Sequence, residues 1–238
     1  LRLTRAVHGV LQDFRWLAKD LSSRPIRIAE LVPSAPKVVG ACDAAGTGMG
    51  GVFFVPDVTG DTTTPHLWRS AFPRHVQDDL VSFRNPSGTV NNSELELCGI
   101  IAHHDVIAQT ADVRERTIAT LSDNVASVYW LRKGSTTTTK PPAYLLRIQA
   151  HHQRFHRYIP RHDYIPGPKN AMADDCSRLW HLSDSQLLAH FNSTYPQTKP
   201  WQICHLSPQL SSGLILALQR TPCDLRSIRI TPSTRMPI

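Results

Sequence analysis

Val38-Val39-Gly40-Ala41-Cys42-Asp43 is followed by Ala44-Ala45-Gly46-Thr47-Gly48-Met49-Gly50-Gly51 and then by Val52-Phe53-Phe54-Val55. Two short apolar runs flanking a glycine-rich segment have the pattern of adjacent hairpin strands. The spacing predicts strands over 38–42 and 51–55, with the intervening glycines supplying the backbone freedom of the turn. Asp43 then stands at the tip of a buried strand. A carboxylate there is costly unless a cation neutralises it, which makes Asp43 a candidate metal ligand. Asp is also a common turn residue, so a simple turn cap is the other reading of Asp43 taken alone.

Working outward, the turn-rich stretch 57–65 leads to a third antiparallel strand over 67–72. Residues 73–92 read as an insertion with a short helix near 76–83 and a turn at Asn85-Pro86-Ser87-Gly88. A helix is expected over 93–109, with Ser93 as N-cap and Glu96 completing a capping box. The strand expected at 116–121 runs into Ser122-Asp123-Asn124, a second acid at a strand tip. A short helix over 125–131 and a polar loop over 134–140 precede an amphipathic helix over 141–158. Arg147, His151, Arg154 and Arg157 make a basic stripe on that helix, either a phosphate-holding face or a solvated one. A strand over 159–165, a turn over 166–170, a helix over 171–180 with Asp174 and Asp175 in its first turn, and a capped helix over 183–191 complete this region.

On the N-terminal side, Val7, Val10, Leu11, Phe14, Leu17 and Leu21 are spaced for one helical face over 4–21. A proline-spaced connector then runs to Pro36. Beyond Tyr195 prolines recur, and 210–218 is the one stretch with helical character. The expected division is therefore an N-terminal helix and connector (1–36), a domain (37–194), and a linker or stub of a following domain (195–238). The chain opens on Leu1 rather than Met, consistent with a piece of a longer product.

Whole-chain properties narrow the class. The chain has 238 residues, 41% of them hydrophobic, which suffices for a substantial core. A net charge of +7 and a pI near 9.4 favour a polyanionic partner. The five cysteines are scattered, with no CxxC pair, so neither a zinc knuckle nor a disulfide framework is indicated. A reducing, intracellular compartment is expected, cytoplasm and nucleus being indistinguishable. No apolar run reaches membrane-spanning length, and no membrane partner is expected.

Four acids fall at element ends: Asp43, Glu96, Asp123 and Asp174. Clustered carboxylates without thiols suit a hard cation such as Mg²⁺, which takes oxygen ligands. The segments Cys42-Asp-Ala-Ala-Gly46, Asn91-Asn-Ser-Glu-Leu-Glu-Leu97, Ser122-Asp-Asn124 and Asn170-Ala-Met-Ala-Asp-Asp-Cys-Ser-Arg-Leu179 together resemble the ribonuclease H domain of retrotransposon reverse transcriptase polyproteins. Each motif is weak alone, and the ordered set of four is fairly specific; it covers residues 37–182.

The resemblance implies an α/β, RNase H-like fold: a mixed five-stranded sheet, three antiparallel strands plus two parallel, flanked by helices. It implies a catalytic and metal-binding set of Asp43, Glu96, Asp123 and Asp174 holding two Mg²⁺ ions, with Mn²⁺ as a substitute. The expected activity is endonucleolytic cleavage of the RNA strand of an RNA–DNA hybrid, in a chain linked to a reverse transcriptase domain. Arg147, Arg154, Lys169 and Arg178 are the expected phosphate contacts; Arg178 could equally pair with Asp174 or Asp175. Glu94 competes with Glu96, and Asp175 with Asp174, but Glu96 precedes the Leu and Asp174 follows the Ala of their motifs. The insertion 73–92 is longer than usual in the family. The family's loop histidine has no clear counterpart; His162 is the nearest. The histidine pairs 103–104 and 151–152 read as helix residues rather than metal ligands, since nothing nearby in sequence completes a ligand set. A different class of function stays open: a catalytically silent nucleic-acid-binding or connection module on the same fold.

Overall fold

The computed structural model describes residues 4–137, 140–221 and 223. Its elements in chain order are α1 (Arg5–Ser23), β1 (Val38–Ala45), β2 (Gly48–Pro56), β3 (Thr63–Ala71), α2 (Arg74–Asp78), α3 (Asn92–Thr110), β4 (Thr117–Ser122), α4 (Val125–Lys133), α5 (Lys140–His156), β5 (Ile159–Tyr164), α6 (Ala171–Arg178), α7 (Asp184–Thr194), β6 (Gln202–Cys204) and α8 (Pro208–Leu218). Among the described residues the strands form one sheet in the order β5-β4-β1-β2-β3-β6. β1, β2 and β3 are antiparallel neighbours, while β4 and β5 add in parallel beside β1. This is the mixed α/β architecture expected, with six strands instead of five.

The hairpin that opens the sheet is tighter than the glycine pattern suggests. The turn is only Gly46-Thr47, and Ala45 pairs with Gly48. Both strands therefore run longer than expected, and Asp43 sits inside β1, opposite Gly50. The remaining glycines serve packing. A Cβ on Gly50 would lie 2.6 Å from Cys176 Cβ and 2.8 Å from its carbonyl carbon, so only glycine lets α6 rest this close to β2.

The two sheet faces are covered differently. Phe53 and Trp68 point to one side, into the large core with α3, α5 and α8; Val52 and Leu67 point to the other, onto Cys176 of α6 and Leu187 and Phe191 of α7. Strand alternation sets this division. α3 runs through the middle and is buried from Glu94 to Ala108, with the sheet on one side and α5 and α8 on the other. Helical periodicity alone predicts one apolar face; a central helix is covered all round.

The start of α3 differs from expectation in a way that bears on the site. Its N-cap is Asn91, not Ser93, and the capping box is closed by Glu94, not Glu96: Glu94 N–H donates to Asn91 Oδ1 (3.0 Å) and Asn91 N–H to Glu94 Oε2 (3.0 Å). Glu94 is thereby committed to the helix cap, and Glu96 is left out of it. The Ser183–Gln186 box of α7 forms as expected.

The stretch expected as a linker after 194 contains folded structure. β6 pairs in parallel with β3, from His66↔Gln202 to Trp68↔Cys204. Leu210, Leu214, Ala217 and Leu218 of α8 are fully buried against α3 and α5. Three residues of strand carry too little pattern to read; the helical character expected at 210–218 is α8, and what the sequence does not show is that it packs on the domain. Residues 138–139 of the loop 134–140, and 222 and 224–238 of the C-terminal stretch, lie outside the described residues.

The N-terminal helix lies along α5. Arg147 pairs with Asp13 at 2.8 Å and Arg154 with Asp20 at 2.6 Å, and the Trp16 ring lies 4.9 Å from that of His151. Arg24 donates to the carbonyls of Arg154 and Phe155, satisfying groups that the end of α5 leaves open.

Candidate active site

Register brings the first two acids together. β1 and β4 pair in parallel as far as Ala41↔Leu121. Two residues further along each chain stand Asp43 and Asp123, on the same side of neighbouring strands. Glu96, in the second turn of α3, reaches the same point. One ligand atom from each of Asp43, Glu96 and Asp123 lies within 4.8 Å of the others. The cleft they line is polar, encloses about 290 Å³, and is completed by Ala44, Ala45, Gly46, Asn92, Asn124 and Arg178.

Each carboxylate is positioned by its neighbours. Ser177 Oγ, on α6, donates to Asp43 Oδ2 at 2.5 Å. The Ala44 backbone N–H donates to Glu96. Asn124 caps α4 through Ser127 N–H (3.0 Å) and donates to Ser93 Oγ (3.3 Å), which ties the Asp123 loop to the start of α3. Gly167 lies against Asp123: a Cβ there would come within 3.2 Å of Oδ2. Asn170 Nδ2 donates to the Cys42 carbonyl at 3.2 Å, fixing α6 to β1 beside the cleft.

The electrostatics show what the cluster lacks. Glu96 is 4% exposed, and its carboxyl is pushed up to about 9, first by burial and then by Asp43 and Asp123. Burial likewise raises Asp43, against the lowering effects of Ser177 and Arg178. Glu96 Oε2 is buried with no hydrogen-bond partner. A buried, unpaired carboxylate oxygen facing two further carboxylates is the environment a divalent cation relieves, and three oxygen donors from three elements match what Mg²⁺ or Mn²⁺ takes. The residues present therefore fit a divalent metal.

Asp174 stands apart from the converging three. It opens α6 close enough to Asp43 to raise its carboxyl, but its own carboxylate is held by Arg178 one helical turn on. Arg178 also approaches Asp43 at 3.8 Å. Both expectations for Arg178 meet here: it is an ion-pair partner of Asp174, and it lines the cleft.

The other expected phosphate contacts divide. Lys169 is exposed on a 3-10 turn, Gly167–Lys169, that abuts Asp123. Arg154, 10% exposed, is enclosed by Asp20, Glu30 and the Arg24 carbonyl, so it is not available to a nucleic acid. Arg147 is engaged with Asp13. The basic stripe on α5 is a seam with α1, not a free surface; carboxylates 124 to 134 residues away in sequence neutralise it. His162 is buried against His104, ring centroids 5.3 Å apart, and is held near 4, chiefly by burial; it faces the core and not the cleft. Ser177, Asn92 and Asn170 also touch or line the site, which their residue types alone do not signal. The i, i+3 spacing of Asp174 and Ser177 was the available signal for Ser177.

No family model and no curated protein matches the chain. Among solved structures it is similar to LC11-RNase H1, determined in complex with an RNA/DNA hybrid (16% identity over 59% of this chain and 93% of that one, TM-score 0.43). It is also similar to RNase H1 of the halophilic archaeon Halobacterium salinarum NRC-1 (15% identity, 58% and 92%, TM-score 0.38). A third is the N-terminal RNase H domain of a Mycobacterium tuberculosis protein (17% identity, 67% and 99%, TM-score 0.36). Similarity at this level assigns no chemistry.

Proposed function

We propose that this chain is a divalent-metal-dependent ribonuclease H, an endonuclease that cuts the RNA strand of RNA–DNA hybrids within a retrotransposon reverse transcriptase polyprotein. The observation that carries the reading is the convergence of Asp43, Glu96 and Asp123, from β1, α3 and the end of β4, on one polar cleft with Glu96 Oε2 unpartnered. The four motifs that supply these acids and Asp174 add the resemblance to this family.

In this reading Asp43, Glu96, Asp123 and Asp174 hold two Mg²⁺ ions. Bound there, the ions supply Lewis-acid activation of a water and stabilisation of the leaving oxygen of a phosphodiester. The protein's own residues do the rest. Ser177 and the Ala44 N–H aim the Asp43 and Glu96 carboxylates into the cleft, and Asn124 fixes the loop that carries Asp123. Arg178, released from Asp174 when that carboxylate turns inward, is placed to meet a substrate phosphate, with Lys169 meeting another. Neither reads a base. Selection is for the shape of the hybrid and its 2′-hydroxyls.

The test is cleavage of an end-labelled RNA–DNA hybrid by the wild type and by Asp43→Asn, with and without Mg²⁺. The expected result is Mg²⁺-dependent internal cuts in the RNA strand by the wild type alone. Binding without cleavage by both proteins would overturn the enzyme reading in favour of a silent nucleic-acid-binding module.

A further inference from the structure

A second meeting of ligand-type side chains lies toward the other end of α3, away from the acidic cleft. Asp105 is buried near the C-terminal end of that helix, about 13 Å along the axis from Glu96 at roughly 1.5 Å per residue. Facing it are His152 and His156, one turn apart on the same side of α5. One ligand atom from each of Asp105, His152 and His156 lies within 4.8 Å of the others. The spacing of the histidine pair 151–152 suggests no ligand set in sequence; the fold supplies the missing members, one from α3 and one a turn further along α5.

The surroundings are arranged as an outer shell would be. Asp105 Oδ2 accepts from Gln109 Nε2 (2.6 Å) and from the Ser207 backbone N–H (3.0 Å), leaving Oδ1 turned to the histidines. His152 Nδ1 is engaged with Tyr158 Oη at 2.9 Å, which directs Nε2 toward Asp105 Oδ1 at 3.3 Å. Tyr158 Oη is itself fixed by Gln149 Nε2 at 3.1 Å. A histidine whose second nitrogen is fixed in this way is oriented as a ligand. His156 is the decisive group. Its ring lies 4.4 Å from that of His152, and its Nε2 is buried without a hydrogen-bond partner.

We propose that Asp105, His152 and His156 form a binding site for a borderline divalent transition metal, Zn²⁺ by preference, that clips α3 to α5. Two imidazoles and one carboxylate are a zinc donor set and a poor magnesium one. With Zn–N and Zn–O bonds of about 2.0–2.2 Å, tetrahedral ligand atoms sit roughly 3.3–3.5 Å apart. The Asp105–His152 pair already has that separation, and a side-chain rotation of His156 closes the rest. Through the Ser207 N–H on Asp105, the same metal would brace the N-cap of α8.

The experiment uses the full chain, stripped with a chelator and titrated with Zn²⁺ alone against a chromophoric chelator, with Co²⁺ absorption as a second readout. The wild type should retain about one equivalent of Zn²⁺ and give a tetrahedral-type Co²⁺ spectrum. His156→Gln, a variant of similar size, and Asp105→Asn should each weaken Zn²⁺ binding by about tenfold or more. Glu96→Gln should leave it unchanged, which separates this site from the acidic cleft. Zn²⁺ should also raise the thermal midpoint of the wild type and not of His156→Gln. A stripped wild type that binds no tight Zn²⁺, or His156→Gln and Asp105→Asn proteins that both bind like the wild type, would overturn the proposal.

Discussion

Two charged regions of this molecule are built on opposite rules. In the seam between α1 and α5 every arginine named has its carboxylate: Arg147 has Asp13, Arg154 has Asp20 and Glu30, and Arg157 has Glu30 and Glu115. In the cleft at the end of β1, Asp43, Glu96 and Asp123 face one another, with Arg178 at the rim as the nearby cation. Charge that is paired internally holds parts of a protein together. Charge left unpaired and buried destabilises the metal-free fold and persists where a ligand relieves it. The contrast indicates which charges are structural and which await a partner, and it reverses the reading that sequence suggests for α5.

The sharpest way to break the comparison is to remove a charge from each side. Asp43→Asn should cost more than about 100-fold in Mg²⁺-dependent cleavage, beyond what loss of an outer-shell partner costs, with little change in hybrid binding. Single-turnover cleavage alongside a binding isotherm reads both. Arg154→Ala should do the opposite: destabilise by about 3 kcal/mol, since it leaves Asp20 and Glu30 short of a partner in a largely buried site, and leave hybrid affinity unchanged. Denaturant unfolding checks the first part. A large loss of affinity with unchanged stability would mean that the seam opens to nucleic acid.

Glu96→Gln sharpens the point through pH. The carboxyl of Glu96 is raised from an ordinary value of 4.5 to about 9 in the folded, metal-free chain. A raised carboxyl contributes fully to stability below its unfolded value, and the contribution is lost as pH climbs toward the folded one. Metal-free wild type should therefore lose stability between about pH 4.5 and 9, and Glu96→Gln, which cannot ionise, should be the more stable at pH 8 by about 1–3 kcal/mol while cleaving nothing. Mg²⁺ should recover the difference in the wild type only, and its apparent affinity should rise with pH, as a proton no longer competes for Glu96. Thermal melts with and without Mg²⁺ across that range test this. The smallest effect belongs to Lys169→Ala. It should leave the fold within about 0.5 kcal/mol of wild type, weaken hybrid binding modestly, and lower the salt slope by about one unit.

The first hairpin, the helix after the third strand, the succession of elements along the chain and the place of Asp123 after a strand were legible because each rests on local pattern: apolar runs, turn residues and helical spacing. At the head of α3 the motif favours Glu96 over Glu94; in the structure Asn91 draws Glu94 into the capping box, and Glu96 lies beside Asp43 and Asp123. The basic stripe misled because a stripe of arginines looks the same whether it faces solvent, phosphate or carboxylates distant in sequence. β6 was too short to read, and α8 shows its role only through what it covers.

Sequence by itself determined which groups exist and on which elements they ride: the carboxylates near element ends, the small residues of the hairpin, the histidines one turn apart on α5. It could do so because dihedral preferences and side-chain periodicity act over a few residues. Only the tertiary structure decided which of these groups meet. The parallel register of β1 and β4 set Asp43 beside Asp123. The packing of α1 silenced the arginines of α5, and the crossing of α3 and α5 brought Asp105 to two histidines. Coulomb interactions and coordination act over a few ångströms of space, whatever the distance along the chain, and that proximity exists only once the core has closed.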